Sequence, residues 1–584
     1  MSTATTPATA RDALEEELLT RVLGTLLRED AYRLRTGATA ERHPDGDWLR
    51  LPVPGADLRL PVAPEGFQCE VRARAALLAT PAGPVHGLRP VLLRLRPAVP
   101  QQDRPGFDAF LAECDAALTA ARLQARVHDA VLTRLAALHG PGAADWSGLR
   151  GSLAHDTLAA FRDHPVHPTG RARPGLTEEH LRAYAPELHP VFALRWLVLP
   201  RTAVTGRTTA LPPWWPAPAR LGLPHPAATH LALPVHPLTA GAPLEAALRA
   251  TGLAGTARLA PVSWPEVVPT LSMRTVALAR EPATHLKLPL PTATLGLRNR
   301  RTLTPGSLRD GEACQRLLEE VLAREPRFAG RVLLADERTH LGAGHEALTV
   351  LVRRYPPGLE GARVVTVAAL LARAPDGRLV AEALADRHYA GSLRALLDAY
   401  LTLLLDWHTT LFSYGIALES HQQNTSLVLD ESGGRPRLRL LLKDNDGPRV
   451  HPARLTGRLG PAARALAAFD DRRITTADDH ALADVFATIT VHLCAGALAF
   501  ELARLGRGTL DGWLGLLRRR LTEAVGRLAP GPAAVLRARV LDAGRLPVKA
   551  MVTAGTLLTK ERSGAADINK HYVDGPNYLR PTAR

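Results

Sequence analysis

Residues 419–444 leave the chain little choice of local fold. Leu427-Val-Leu429 is a short apolar run, and Asp430-Glu-Ser-Gly-Gly-Arg-Pro436 is rich in turn formers. Leu438, Leu440 and Leu442 then alternate with Arg437, Arg439 and Leu441. That is the pattern of a β-hairpin. Antiparallel pairing sets the start of the first strand opposite the end of the second. Asn424 and Asp444 thus become neighbours, with Glu419 and His421 of Glu419-Ser-His-Gln-Gln-Asn424 close behind. An amide oxygen beside a carboxylate is a pair of hard ligands, the kind that hold Mg²⁺ under nucleotide phosphates. Taken alone, the segment is equally a polar turn flanking a core hairpin.

At 584 residues the chain exceeds one core, and about three domains of ordinary size are expected. Hydrophobic content of 46% against 22% charged residues describes a globular protein. The net charge of +15 carries little weight as a nucleic-acid signal. Only five of the 72 basic residues are lysines (Lys287, Lys443, Lys549, Lys560 and Lys570). Arginine has replaced lysine throughout, and no basic run is interleaved with stacking aromatics. In such a chain a surviving lysine draws attention to itself, and Lys287 and Lys443 both fall in the motifs below.

Cys69, Cys114, Cys314 and Cys494 are far apart, which fits a reducing compartment and supplies no thiolate metal site. The start, Met-Ser-Thr-Ala-Thr-Thr, reaches Asp12 and Glu15 without a basic or apolar leader, so no signal peptide is expected. The uncharged stretch Val485–Phe500 is shorter than the roughly 20 residues of a membrane span and reads as a buried core helix. A soluble, cytoplasmic protein is the expectation.

Leu14, Leu18, Val22 and Leu26 predict a helix over residues 12–28, and Phe110, Leu111, Cys114, Leu118 and Val131 one over 107–138. Residues 1–150 therefore read as a mostly helical unit. From 151 to 390 short apolar runs (Leu231–Val235, Val332–Leu334, Leu348–Val352) bounded by turn residues predict antiparallel sheet. From 391 to 584 a long helix beginning after Ser392 and stopping at Gly415, then the hairpin, then Val485–Leu505 and Leu514–Leu528, predict helices around a hairpin.

No GxxxxGK[ST] loop, helix-opening GxGxxG, HExxH or GxSxG elbow is present. Three other clusters are. His164-Pro-Val-His167-Pro, followed by Thr169, Arg171, Arg173 and Gly175, sets imidazoles and guanidiniums on a stiffened loop suited to an anion. Pro234-Val-His236-Pro is a weaker copy. Ser272-Met-Arg274-Thr275, with His285-Leu-Lys287 and Arg298-Asn-Arg-Arg301 downstream, offers the hydroxyl, guanidinium and ammonium donors a triphosphate needs.

In order, HPVHP, PVHP, SMRT, HLKL and ALESHQQN…KD resemble the aerobactin-synthetase-like (IucA/IucC) family, siderophore synthetases that need no non-ribosomal peptide template. The resemblance covers roughly residues 150 to 580. It implies a multi-domain α+β cupped hand: an N-terminal thumb (1–150), fingers with antiparallel sheet (151–390) and a palm of helices around the hairpin (391–584). It also implies ATP- and Mg²⁺-dependent activation of a carboxylic acid, often citrate, as an acyl-adenylate. An amine or alcohol then captures that adenylate, with release of AMP and pyrophosphate. By the same resemblance His164, Arg171, Ser272, Arg274, Thr275, Lys287, Asn424 and Asp444 would hold ATP. His167, Arg274, Lys287 and His421 would carry catalysis, and Arg298 and His421 would meet the acid. Glu419, Asn424 and Asp444 would bind Mg²⁺. Partners would be small molecules and a second copy in a homodimer, with neither nucleic acid nor membrane. The chain departs from the family pattern at Arg171, Lys443, Leu238-Thr239 and the segment after Lys287.

Two other readings remain at this level. A kinase-like phosphotransferase also places an Asn before a hairpin that ends in a metal-binding Asp, but needs a Gly-rich loop the chain lacks. A non-enzymatic siderophore-binding or ferric-reductase-like module would suit the C-terminal half, but the paired cysteines of an iron–sulfur reductase are missing.

Overall fold

The computed structural model describes residues 12–563 and 571–580. The residues read above for a leader, and Lys570, lie outside the described residues. Asp12 caps the first helix, Ala13–Arg28, its side chain accepting from the Leu14 N–H at 2.9 Å. The second long helix runs Arg104–His139. Between them the chain differs from the mostly helical unit expected. Residues 39–86 form a six-stranded antiparallel sheet, in order Thr39–His43, Gly46–Arg50, Arg59–Pro64, Leu77–Thr80, Gly83–His86, with Val71–Ala73 on the far part of the third strand. These strands are three to six residues long and broken by Pro and Gly, so their period is too short to register in sequence. Sheet and helices share one apolar core.

A seven-stranded sheet, all of its pairs antiparallel, follows. Its centre pairs Thr275–Leu278 with Thr284–Lys287, and the latter with Thr349–Arg354. Thr275 lies opposite Lys287, and His285 opposite Arg353. Because side chains alternate across a strand, Val276, Leu286, Val350 and Val352 face one way into an apolar cluster. Thr275, His285, Lys287 and Arg353 face the other way, towards the hairpin. The alternation puts the cations on the site face.

The hairpin is longer and tighter than the sequence suggested. Thr425–Ser432 pairs with Arg435–Leu442 in full register, and only Gly433-Gly434 forms the turn, with φ of 60° and 71°. Two successive positive φ values are what a two-residue hairpin turn requires. Asp430, read above with the turn formers, instead lies in the first strand and accepts from Arg437 Nε at 2.7 Å and from Arg439 at 2.6 Å. Nor do helices alone surround the hairpin. Val332–Leu334 adds in parallel to its second strand and Arg363–Thr366 antiparallel to its first. The sheet thus takes strands from both sides of residue 390, and one apolar core runs from Val131 through Val365, Leu427 and Leu440 to Leu579.

Helix Leu393–Ser413 starts on the Ser392 cap and ends before Gly415. There φ is 81°, and a Cβ would come within 2.9 Å of the His451 carbonyl oxygen, so only glycine fits. The apolar helix Asp479–Arg504 is long enough to cross a membrane, but 89% of its most apolar window is buried inside the protein. Residues 510–526 form the next helix.

Candidate active site

The seven-stranded sheet, the hairpin's open end and the loop after Ala160 enclose a cleft of about 1010 Å³. It is lined by nine Lys or Arg against six Asp or Glu side chains, so its field favours anions.

One wall is cationic. His164 lines it, and its Nδ1 accepts from the backbone N–H groups of Val166 (3.2 Å) and His167 (2.9 Å). Burial, His167 and His421 hold its pKa well below the usual histidine range. The ring is therefore neutral with its proton on Nε2, a donor. Arg171 donates to the Phe161 carbonyl at 2.9 Å, while Arg173 is spoken for by Glu187 in a two-point pair at 2.9 and 3.0 Å. Arg274 and Arg301 behave differently. Each donates to one carbonyl, Arg274 to Thr302 at 2.9 Å and Arg301 to Thr294 at 3.1 Å. Among the described residues neither makes an ion pair, and the Nε of each is buried without a hydrogen-bond partner. Burial lowers the pKa of both, that of Arg301 to about 9 with Arg274 adding repulsion. Two enclosed guanidiniums without a counter-ion are costly unless an anion completes them.

The facing wall carries oxygen. Lys443 N–H donates to the Asn424 carbonyl at 3.1 Å, so the open end of the hairpin brings Asn424 and Asp444 within one residue of opposition. Asp444 has φ of 56°, a strained conformation that Asp tolerates better than most residues. Glu337 holds it there by accepting from the Asp444 N–H at 2.9 Å and the Asn445 N–H at 3.4 Å. Asp444 Oδ1 meets Lys287 Nζ at 2.5 Å and Arg353 at 2.7 Å. Burial alone would raise this carboxyl, but Arg353 and Lys287 overcome it and hold the pKa well below the usual range. Asp446 reaches the same Lys287 at 3.2 Å. His421 is neutral, its pKa pushed to about 4 by burial and by Lys549, and Asn424 Nδ2 donates to the Glu419 carbonyl at 3.2 Å.

Of the residues expected at the site, His164, Arg171, Ser272, Arg274, Lys287, Glu419, His421, Asn424 and Asp444 line the cleft together. His167, Thr275 and Arg298 do not. His167 and Thr275 are buried behind the wall. Arg298 instead donates to the Ala554 carbonyl at 3.1 Å. Glu419, expected as a metal ligand, has both oxygens 3.0 Å from Lys549 Nζ. Among the described residues no group of three or more His, Cys, Asp and Glu could hold a metal alone. Lys443 is buried and does not line the cleft. Sequence reasoning missed Lys549, although lysine scarcity had already marked it. It also missed Asp446, Arg353 and Glu337, which long-range pairing alone brings together.

Fold and site thus define a multi-part α+β protein with an anion-seeking cleft between a sheet edge and a hairpin end. The profile of the IucA / IucC family matches residues 154–372. A second profile, described as a ferric iron reductase FhuF-like transporter, matches residues 393–564. Staphyloferrin B synthase of Staphylococcus aureus (strain NCTC 8325 / PS 47) is 24% identical over 52% of this chain and 54% of its own length. The rhizobactin siderophore biosynthesis protein RhbC of Rhizobium meliloti (strain 1021) is 30% identical over 55% and 59%. The chain spans about half the length of the curated relatives it matches. Its fold is shared along nearly the whole chain with solved structures. The petrobactin biosynthesis protein AsbB of Bacillus anthracis str. Sterne superposes with a TM-score of 0.71 at 17% identity, over 96% of this chain and 95% of that one. ATP-bound aerobactin synthetase IucA from a hypervirulent pathotype of Klebsiella pneumoniae gives 0.67 at 18% identity, over 96% and 99%.

Proposed function

We propose that this protein is a siderophore-building ligase of iron acquisition. It uses ATP and Mg²⁺ to activate a carboxylic acid, citrate or a related one, as an adenylate. It then joins the acid to an amine or alcohol, releasing AMP and pyrophosphate. The observation that carries the reading is the pair Arg274 and Arg301, enclosed guanidiniums bridged by no carboxylate among the described residues, facing the oxygens of Asn424, Asp444 and Asp446 across one cleft. The names of the relatives, and the ATP bound to one structural neighbour, point the same way.

The chemical problem is repulsion, because a carboxylate must approach a phosphate. Catalysis is then mostly alignment and electrostatic stabilisation. Arg274, Arg301 and Lys287 would bind the phosphates, and the Nε2–H of His164 would donate to a phosphoryl oxygen. Lys549 and neutral His421 would orient the acid's carboxylates, and the enclosed walls would keep water from the activated acid. The donor set fits Mg²⁺, which favours one or two carboxylates together with substrate phosphates. Among the described residues Asn424 Oδ1, Asp444 Oδ2 and Asp446 Oδ1 accept no hydrogen bond, and these residues would hold the ion. When bound, it supplies further neutralisation of phosphate charge. Such a reaction draws on ATP and belongs in the cytoplasm.

The test is pyrophosphate release against a panel of acids (citrate, 2-oxoglutarate, succinylated amines), with and without diamines, hydroxylated amines and amino acids, scoring AMP and ADP. Acid-dependent AMP and pyrophosphate are expected. Stoichiometric ADP would overturn the reading in favour of a phosphotransferase.

A further inference from the structure

The N-terminal helices reach into the site through a carboxylate the chemistry above does not use. Glu113, on helix Arg104–His139, is buried, with 3% of its surface exposed. Its Oε1 accepts from Thr169 Oγ1 at 2.6 Å and its Oε2 from Thr556 Oγ1 at 2.9 Å. Thr169 closes the His164–His167 loop, and its Oγ1 also lies 3.2 Å from His167 Nδ1. Thr556 accepts from the Leu297 N–H at 3.2 Å, and the Arg298 N–H donates to Gly555 at 3.1 Å. This couples the turn Thr553–Leu557 to the loop that carries Arg301. One carboxylate therefore fastens both segments that supply the cationic wall. The packing there leaves no slack, because a Cβ on Gly296 would meet Gly555 Cα at 2.9 Å.

The proton count sharpens this. A threonine hydroxyl has one proton, and Thr169 gives its proton to Glu113. What Oγ1 then turns towards His167 is a lone pair. An unprotonated Nδ1 at 3.2 Å would face it acceptor to acceptor, whereas a protonated Nδ1 donates. The competing donor to Nδ1, the Thr169 N–H, is at 3.4 Å, the weaker contact. His167 is neutral, its pKa pushed to about 3 by burial and by Arg28 and Arg21, so one ring nitrogen carries the proton and the other does not. Its Nε2 is buried without a partner.

We propose that Glu113 is a positioning residue of the active site: through Thr169 it fixes His167 in the Nδ1–H tautomer and sets the loop that presents His164, and through Thr556 it clamps the loop carrying Arg301. Its kinetic consequence rests on the function proposed above; the tautomer does not. The experiment uses ¹⁵N-histidine-labelled full-length protein, with His167→Gln to assign the resonance, and compares E113Q, T169V and T556V. Wild type and T556V are expected to show Nδ1–H at His167, and E113Q and T169V to lose it. In acid-dependent pyrophosphate release, E113Q should raise the nucleotide KM roughly tenfold, and T169V and T556V, each releasing one arm, about threefold to fivefold, with kcat changed less than about threefold in all three. An Nε2–H tautomer in wild type, or E113Q matching T556V in both measurements, overturns the proposal. If E113Q does not fold, T169V carries the same two readouts. If wild type releases no pyrophosphate with any acid, the proposed ligase fails, while the ring spectrum still decides the relay.

Discussion

The two walls of the cleft solve opposite electrostatic problems. On the loop-and-strand wall Arg274 and Arg301 hold charge that no carboxylate among the described residues bridges, and Asp444 and Asp446 offset it only from a distance. On the hairpin wall the carboxylates already have partners: Asp444 has Lys287 and Arg353, and Glu419 has Lys549. The first wall is built for a ligand and tolerates the strain of its absence. The second is built for its own stability and leaves over only oxygens of Asn424, Asp444 and Asp446. Residues on the first wall should therefore fail chiefly in activity, and those on the second in stability as well.

The largest effect expected is on the first wall. Arg274→Ala and Arg301→Ala should each lower acid-dependent pyrophosphate release by a factor of about 10² or more, the scale of one lost electrostatic donor. Their melting temperatures should not fall, since a counter-ion-free charge is removed. Wild-type rates in either folded variant would break the contrast. Asp444→Asn should lose activity and also about 3 kcal/mol of stability, because it leaves Lys287 and Arg353 buried beside a neutral group. Denaturant titration measures that, with Glu431→Gln as control: Glu431 is exposed on the same hairpin, opposite Pro436. Equal midpoints for the two variants would remove Asp444 from the buried network.

A pH series sharpens the comparison from another side. His155, His408 and His492 are held neutral, with pKa values near 4 caused by burial, against about 6.5 in the unfolded chain. The unfolded state therefore takes up protons first. Stability is complete above about pH 6.5 and falls as pH drops towards 4, by at least about 2 kcal/mol between pH 7 and pH 5. A flat stability profile over that window would mean these rings titrate in the folded protein. The smallest effect is the Glu419–Lys549 coupling, about 1–2 kcal/mol in a double-mutant cycle of Glu419→Gln and Lys549→Met. A coupling near zero would place that pair with exposed surface bridges.

What could be read in the sequence was local. The hairpin, the Ser392-capped helix and the cation clusters each rest on residues near one another in the chain, and they fold as their patterns imply. The sheet of residues 39–86 pairs chain neighbours in strands too short and too broken by Pro and Gly to show a period, whereas the Glu337–Arg353–Asp444 network joins residues 16 to 107 positions apart. No periodicity encodes such pairings. His167, Thr275 and Arg298 were chosen for their chemistry; burial withdrew the first two from the cleft, and a hydrogen bond to the Ala554 carbonyl took the third. Lys549 is the instructive miss, since scarcity singled it out and only the fold supplied its partner.

The mixed parentage of the hairpin sheet bears on how the protein comes into being at the ribosome. Val332–Leu334 and Arg363–Thr366 are the outer strands of a sheet whose middle is made of residues 425–442. Until those residues emerge, the two early strands have no neighbour in that sheet, and apolar Val364 and Val365, buried in the finished protein, await cover. Domains usually mature in the order of synthesis. Here the sheet begun by residues 332–366 cannot finish before residues 425–442 are made, and a chain cut at residue 390 would yield two incomplete pieces.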